Sequence, residues 1–198
     1  MLLDAEDCQL VLVDYQQRLM PAIHEGDFVL ANAVRLARLA GLLEVPLWAT
    51  EENAKSLGPT VEPLAPLVAG RIVQKIDFDG SGALLPRLKP APRQGGNARS
   101  LPKHLQKAAP PPGRECVVIA GCEAHVCLLQ TALGLLEEEL DVWVVTDACS
   151  SRTERNRDAA FDRLAAAGAE LVTTEMVAFE WLRGADHPQF KEVLSLIK

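Results

Sequence analysis

The sequence lacks three features that would connect it to nucleic acids, membranes or export. It has no basic excess, because 20 Lys and Arg against 27 Asp and Glu give a formal net charge of −7. Nucleic-acid and membrane-surface binders need a basic footprint. No stretch reaches the roughly 18 uninterrupted apolar residues of a transmembrane helix. The N-terminus, MLLDAEDCQL, has acids where a secretory signal has lysines and an apolar run. We therefore expect a cytoplasmic protein with no nucleic-acid or membrane partner.

The sequence has few cysteines, and their number is odd. Both facts argue against a disulfide framework in a chain of 198 residues. The five are Cys8, Cys116, Cys122, Cys127 and Cys149. Cys8, Cys116 and Cys149 border apolar runs, and we interpret them as buried small hydrophobic residues. The two that remain flank a histidine in the stretch GCEAHVC.

Strand and helix patterns alternate along the chain. The predicted strands are Cys8–Asp14, Val45–Thr50, Arg71–Lys75, Glu115–Gly121, Asp141–Asp147 and Ala169–Thr173. The predicted helices are Asp27–Leu43, Pro59–Leu67, Ala124–Glu139, Glu154–Ala167, Thr174–Leu182 and Pro188–Ile197. Such alternation indicates right-handed crossovers and an α/β fold with a mainly parallel, helix-covered sheet.

One segment departs from this alternation. Seven prolines lie between Pro86 and Gly113, and the glycine-containing stretch RQGGNAR adds positive charge. We predict one domain over residues 1–198, with a Pro/Gly-rich surface insert around 86–113 and a short helix around 101–107.

Polar side chains follow several of the predicted strands. Asp14, Lys75 and the turn 121–127 come after the first, third and fourth strands. Thr50 with Glu51, and Asp147, come at the ends of the second and fifth strands. Ligands of open parallel sheets bind beyond the carboxyl ends of the strands, which makes these residues candidates for a common site.

The stretch GCEAHVC allows several interpretations. As a zinc site, Cys122 and Cys127 with His125 between them have poor spacing, and a disulfide has no oxidising compartment to support it. As a nucleophile, Cys127 lies in the first turn of a helix, whose free N–H groups favour a thiolate and bind an oxyanion. Lys75 would lower the thiol pKa further, and Asp14 would accept its proton. A plain ion pair and a packed cysteine are the structural alternatives.

Several segments together resemble the isochorismatase-like cysteine hydrolases, and most closely the small isochorismatase-domain proteins. These segments are LVLVDYQQRLMPAI, VPLWATEENAKSLGPTVEPL, VQKIDF, VVIAGCEAHVCLLQTALGLLE and DVWVVTDACSSRTERNRDAAFDRLAAAGAELVTTEMVAF. The resemblance covers nearly the whole chain except the Pro-rich insert. It implies a three-layer α/β/α fold with a six-stranded, mainly parallel, Rossmann-like sheet.

The resemblance also implies residue roles. Asp14, Lys75 and Cys127 match the family's catalytic triad. A cis peptide at Cys122–Glu123 would direct the Glu123 N–H, with that of Cys127, into an oxyanion hole. The Glu123 carboxylate is a pocket candidate, with a salt bridge as its alternative.

The implied activity is hydrolysis of a C–N bond in a small amide-type molecule through a Cys127 thioester. Nicotinamidases of the superfamily have a histidine-containing metal cluster between the second and third strands. Here that region, TEENAKSLGPTVEP, has no histidine. We therefore expect no metal and no cofactor. After Lys75, the run Ile76 to Asp79 places an extra acid near the mouth of the site.

Pocket walls and assembly are the remaining expectations. The candidate wall residues are Tyr15, Leu19, Trp48 and Phe78, each with core packing as its alternative. We expect a homo-oligomer, a dimer or a tetramer, with MVAFEWL as a candidate interface. Two alternatives of a different class stay open: an oligomeric scaffold with weak turnover, and a redox sensor in which Cys122 resolves an oxidised Cys127.

Overall fold

The computed structural model describes residues 2–90 and 113–198. Its strands are β1 Cys8–Val13, β2 Leu47–Glu52, β3 Ile72–Lys75, β4 Cys116–Gly121, β5 Asp141–Val145 and β6 Glu170–Val172. Its helices are α1 Gly26–Leu42, α2 Ala54–Leu57, α3 Ser81–Leu88, α4 Leu129–Glu137, α5 Glu154–Ala166, α6 Thr174–Leu182 and α7 Phe190–Ile197. The predicted helix around 101–107 lies outside the described residues.

The six strands form one parallel sheet in the order β3-β2-β1-β4-β5-β6. The two central strands, CQLVLV in β1 and CVVIAG in β4, are buried at every position. Such uninterrupted apolar runs suit strands that are covered on both faces.

Helices cover both faces of the sheet. α1 packs against α6 and α7, while α3 and α5 pack against α4. Right-handed crossovers place these two groups on opposite faces, because the connections from β1 and from β4 run in opposite directions along the sheet. The predicted three-layer α/β/α architecture is thereby confirmed. In the part of the chain that the structure describes, every helix is too short or too polar to cross a bilayer.

Two sequence predictions were wrong between β2 and β4. The stretch Pro59–Leu67 does not form a helix: Thr60 makes a β-bridge with Gln16, and turns follow over residues 62–67. Pro63 and Pro66 have no N–H to donate to a helical ladder. Pro86 lies inside α3, although we had placed it at the start of the insert. Residues 91–112 of that proposed insert are outside the described ranges.

The strand order creates a switch point at the centre of the sheet. β1 continues through α1 to β2 on one side, while β4 continues through α4 to β5 on the other. Val13 and Gly121 are partners at the carboxyl ends of the two strands. A Cβ on Gly121 would lie 2.5 Å from the Val13 Cβ, so this position has no room for a side chain. Ligands of doubly wound sheets bind in the crevice beyond such a point.

Candidate active site

Asp14 directly follows β1 and enters the crevice in an uncommon backbone conformation. Its φ of 54° is left-handed, a region that few residues other than glycine adopt. Its side chain is fully buried, and the Thr50 hydroxyl donates to Oδ1 at 2.6 Å. Backbone outliers of this kind are frequent at functional sites, where the surrounding structure holds them in place.

Lys75 ends the edge strand β3 and reaches across β2 to the same carboxylate. Its Nζ lies 2.6 Å from Asp14 Oδ2, and both side chains are almost completely buried. The contact is a buried ion pair in which the ammonium compensates the carboxylate charge. The ammonium also donates to the carbonyl oxygens of Asp77 and Phe78, at 3.2 and 3.4 Å.

Cys127 lies in a π-helical turn, Ala124–Leu128, that precedes α4. The Leu128 N–H donates to the Glu123 carbonyl and the Leu129 N–H to the Ala124 carbonyl, each spanning five residues. The sequence prediction was an ordinary first helical turn. Single π turns inside α-helices are frequently found at functional sites.

The Cys127 thiol interacts with both members of the ion pair. Burial raises its pKa, the charge of Asp14 raises it further, Lys75 opposes both, and a hydrogen bond with Asp14 and the charge of Glu52 add to the rise. The resulting pKa is about 12. The expectation of a lowered pKa was therefore wrong, because burial and Asp14 outweigh Lys75. At neutral pH the resting sulfur is a thiol beside a carboxylate.

The turn that carries Cys127 is fastened to the segment 147–152. Arg152 donates to Glu123 Oε2 from both its Nε and its backbone N–H, each at 3.0 Å. His125 Nδ1 lies 2.9 Å from the Ser151 hydroxyl oxygen. The Glu123 carboxylate and His125 thus have structural partners. The Cys122–Glu123 peptide bond is cis, and Cys122 is fully buried.

The candidate wall residues separate into two groups. Tyr15 is buried, with its hydroxyl donating to the Ala148 carbonyl, and Trp48 lies under the Arg87 guanidinium toward the amino end of β2. These contacts agree with the core-packing alternative for both residues. Leu19 is half-buried, and Phe78 is exposed on the loop that contacts Lys75.

Three acids that we noted at strand ends have structural partners. Asp147 accepts from the N–H and hydroxyl of Thr174 at the start of α6. Glu51 accepts from Thr60 and Gln74, and these hydrogen bonds outweigh burial and lower its pKa. Asp79, which we had placed near the mouth, accepts the Ser81 N–H of α3.

Sequence reasoning missed Glu52, the last residue of β2 and the partner of Lys75 in the sheet. Burial raises its pKa, Lys75 opposes this and Asp14 adds to it, so the carboxylate lies within electrostatic range of the ion pair. The alternation of β2 contained the signal, because Thr50 and Glu52 must point to the same face. Among the described residues, no three His, Cys, Asp or Glu side chains are grouped to hold a metal.

These observations define a class: a three-layer α/β protein with a cysteine, an aspartate and a lysine at the switch point of its sheet. The isochorismatase domain model matches residues 8–176. Isochorismatase domain-containing protein 2A of Mus musculus is 36% identical over 193 residues, which are 98% of this chain and 84% of that protein. The chain belongs to the isochorismatase family.

Solved structures share the fold over nearly the whole chain. MAR1 ribonuclease from Caenorhabditis elegans is 32% identical, with a TM-score of 0.80 and coverage of 100% of this chain and 92% of that one. YcaC from Pseudomonas aeruginosa, solved with hexane-2,5-diol and covalent acrylamide, is 26% identical, with a TM-score of 0.81 and coverage of 98% and 91%. YcaC from Escherichia coli, described as an octameric hydrolase of unknown specificity, is 26% identical, with a TM-score of 0.78 and coverage of 98% and 95%.

Proposed function

We propose that the protein is a hydrolase that cleaves the C–N bond of a small amide through a thioester on Cys127. The observation that carries the proposal is the buried Asp14–Lys75 ion pair beside a thiol whose pKa is raised to about 12. A thiol in this state needs a base at the moment of attack, and Asp14 Oδ2 has a lone pair for its proton. Covalent acrylamide in the Pseudomonas aeruginosa relative supports a reactive nucleophile in this family.

The reaction follows from these positions. Asp14 takes the thiol proton as the sulfur attacks the carbonyl carbon, and Lys75 stabilises the new negative charge on sulfur. Protonated Asp14 then donates to the leaving amine and afterwards activates water to hydrolyse the thioester. Acid–base assistance of this kind contributes about 10²–10⁴-fold to the rate.

Backbone N–H groups of Glu123 and Cys127 serve as the oxyanion hole in this proposal. Within residues 2–90 and 113–198, no carbonyl or side chain accepts from the Glu123 N–H. This donor is therefore available to a bound oxygen. One such donor contributes about 10²–10³-fold.

Substitution of the nucleophile tests the proposal. We expect Cys127→Ala to abolish hydrolysis of every amide, urea or carbamate that the wild type accepts, with an unchanged circular dichroism spectrum. Cys149→Ala is the control, because Cys149 is also a buried free cysteine and lies outside the triad. Turnover by Cys127→Ala at the wild-type rate would overturn the thioester mechanism.

RNA belongs in the same panel, because one structural relative is a ribonuclease. For this chain we propose no nucleic-acid substrate, since its net charge is −7 and RNA binding depends on basic surfaces. The cytoplasmic location and the absence of cofactors remain predictions.

We extend the proposal to self-association. Leu2, Met176 and Phe179 are exposed apolar side chains that line one surface groove along α6, and the Escherichia coli relative is octameric. We expect a homo-oligomer by light scattering, and Phe179→Glu should reduce its mass if this groove is an interface.

A further inference from the structure

A single carboxylate beside the proposed nucleophile has no role in the triad. Glu52 is the sheet partner of Lys75 and stands two residues beyond Thr50 on β2. Side chains two residues apart on a strand share a face, and the Thr50 hydroxyl bonds Asp14. The Glu52 side chain is therefore on the face of the sheet where Asp14 and Lys75 meet.

The backbone of Glu52 is fixed, while its carboxylate is left without a partner. The Gln16 side-chain amide makes two hydrogen bonds with the backbone of Glu52. Its Oε1 accepts from the Glu52 N–H and its Nε2 donates to the Glu52 carbonyl oxygen, both at 2.9 Å. In the described parts of the chain, no ion pair within 4.0 Å includes the Glu52 carboxylate, and its hydrogen bonds are those of its backbone. The backbone of Glu52 is thus held in place, and its half-buried carboxylate interacts with Lys75 through charge without a direct ion-pair contact.

The charges around Cys127 do not balance. Asp14 and Lys75 neutralise each other as an ion pair, the resting thiol is neutral, and the Glu123 carboxylate is paired with Arg152. Glu52 adds a negative charge with no ion-pair partner on the face of the sheet where Asp14 and Lys75 meet, and this charge acts to raise the pKa of Cys127. A half-buried charge discriminates strongly between ligands of opposite sign, because water screens it poorly.

We propose that Glu52 is a specificity-determining residue that selects substrates bearing a positively charged amino or guanidinium group. This inference rests on the proposed amide hydrolysis and names its substrate class. An ammonium or guanidinium group next to the scissile amide would pair with the Glu52 carboxylate and neutralise the site. An anionic substrate would meet two carboxylates and only one lysine.

Charged thiol reagents test the inference without any turnover. Cys127 is modified with the cationic trimethylammonium-ethyl, the anionic sulfonato-ethyl and the neutral methyl methanethiosulfonates, and its labelled peptide is quantified by mass spectrometry. We expect the cationic reagent to react about tenfold faster than the anionic one, relative to their rates with a free thiol. The ratio cancels any change in the thiol pKa itself.

Variants at position 52 decide the outcome. Glu52→Gln should lower the cation-to-anion ratio by about fivefold or more, and Glu52→Lys should invert it. Glu62→Gln is the matched control, because Glu62 is exposed and lies outside the site, and it should leave the ratio within about twofold of wild type. A Glu52→Gln ratio equal to that of wild type would overturn the proposal, provided that circular dichroism shows a folded variant.

A second measurement connects the charge preference to catalysis. For amides that the wild type hydrolyses, kcat/KM should favour an ammonium-bearing amide over its neutral isostere, and Glu52→Gln should remove that preference. An unchanged preference would contradict the inference. If no amide is hydrolysed, the proposed function fails, whereas the reagent ratio still decides whether Glu52 selects for positive charge.

Discussion

At the scale of single residues, the two charged partners of Cys127 act on its thiol in opposite directions. Asp14 raises the thiol pKa by its charge and by a hydrogen bond, whereas Lys75 lowers it. In the proposed mechanism, the residue that acts as the base therefore also suppresses the thiolate of the resting protein.

The rate of Cys127 alkylation should reveal the opposite effects of Asp14 and Lys75 on the thiol pKa. We expect Asp14→Asn to abolish amide hydrolysis yet to accelerate alkylation of Cys127 by iodoacetamide at pH 8, about tenfold for each unit by which the pKa falls. Lys75→Met should slow alkylation. The pH dependence of the alkylation rate gives both thiol pKa values, and slower alkylation of a folded Asp14→Asn variant would contradict this description of the site.

Sequence reasoning found these three residues but not their electrostatics. Asp14, Lys75 and Cys127 stand at positions that strand patterns and motif resemblance both indicate. The pKa of Cys127 depends on how deeply the sulfur is buried and how close Asp14 lies, and neither is encoded in spacing along the chain. Glu52 was missed because its importance comes from its sheet partner, Lys75, which is 23 residues away in sequence.

At the scale of elements, β1 and β4 leave no room for a side chain at Gly121, where the site begins. A Cβ atom added at Gly121 would lie 2.6 Å from the Val13 carbonyl oxygen. This contact sets the distance between the Asp14 loop and the turn that carries Cys127. Gly121 is therefore required for close packing of two backbones.

An added methyl group at this contact should separate the two strands. We expect Gly121→Ala to lower the free energy of unfolding by about 1–3 kcal/mol, the usual cost of overpacking, and to reduce hydrolysis further by displacing Asp14. Gly41→Ala is the matched control, because nothing lies within 4 Å of its Cβ position near the end of α1. That variant should gain up to about 1 kcal/mol. Urea unfolding measures both, and equal stabilities would refute the packing argument.

The elements themselves were largely predictable from the sequence. Alternating apolar runs and amphipathic segments located all six strands, because parallel strands buried on both faces have a distinctive composition. The prediction failed around Pro59–Leu67 and at α3, because the presence of proline did not by itself indicate whether a helix forms. Pro63 and Pro66 prevent a helix that the apolar spacing suggests, while Pro86 is tolerated near the end of a short one.

At the scale of the whole molecule, several buried groups are neutral in the folded protein. Their burial makes the fold less stable at alkaline pH. Burial raises the pKa of Cys122 to about 12 and raises those of Cys149 and Tyr15 well above their usual values. In the unfolded chain the thiols titrate near pH 9. Their contribution is therefore complete below that pH and is lost as the pH rises toward the folded-state pKa.

Stability should consequently decline above pH 9. We expect the free energy of unfolding to fall by about 1.4 kcal/mol per pH unit for each such thiol between pH 9 and 11. Urea titrations at pH 7, 9 and 10.5 measure the decline, with Cys149→Ala as a variant that should show a shallower slope. A stability that is flat across this range would mean that these groups ionise freely in the native state.

The position of β3 determines which part of the site we expect to open first on warming. Lys75 is carried by a four-residue strand at the edge of the sheet, whereas Asp14 and Gly121 terminate its two central strands. Sheet margins open locally at a lower free energy than centres do. Release of β3 alone would withdraw the ammonium from a fully buried carboxylate and leave the remaining sheet intact. On warming, catalytic competence would then disappear while most of the native structure persists, so the edge of the sheet, and not its core, sets the working temperature limit of the site.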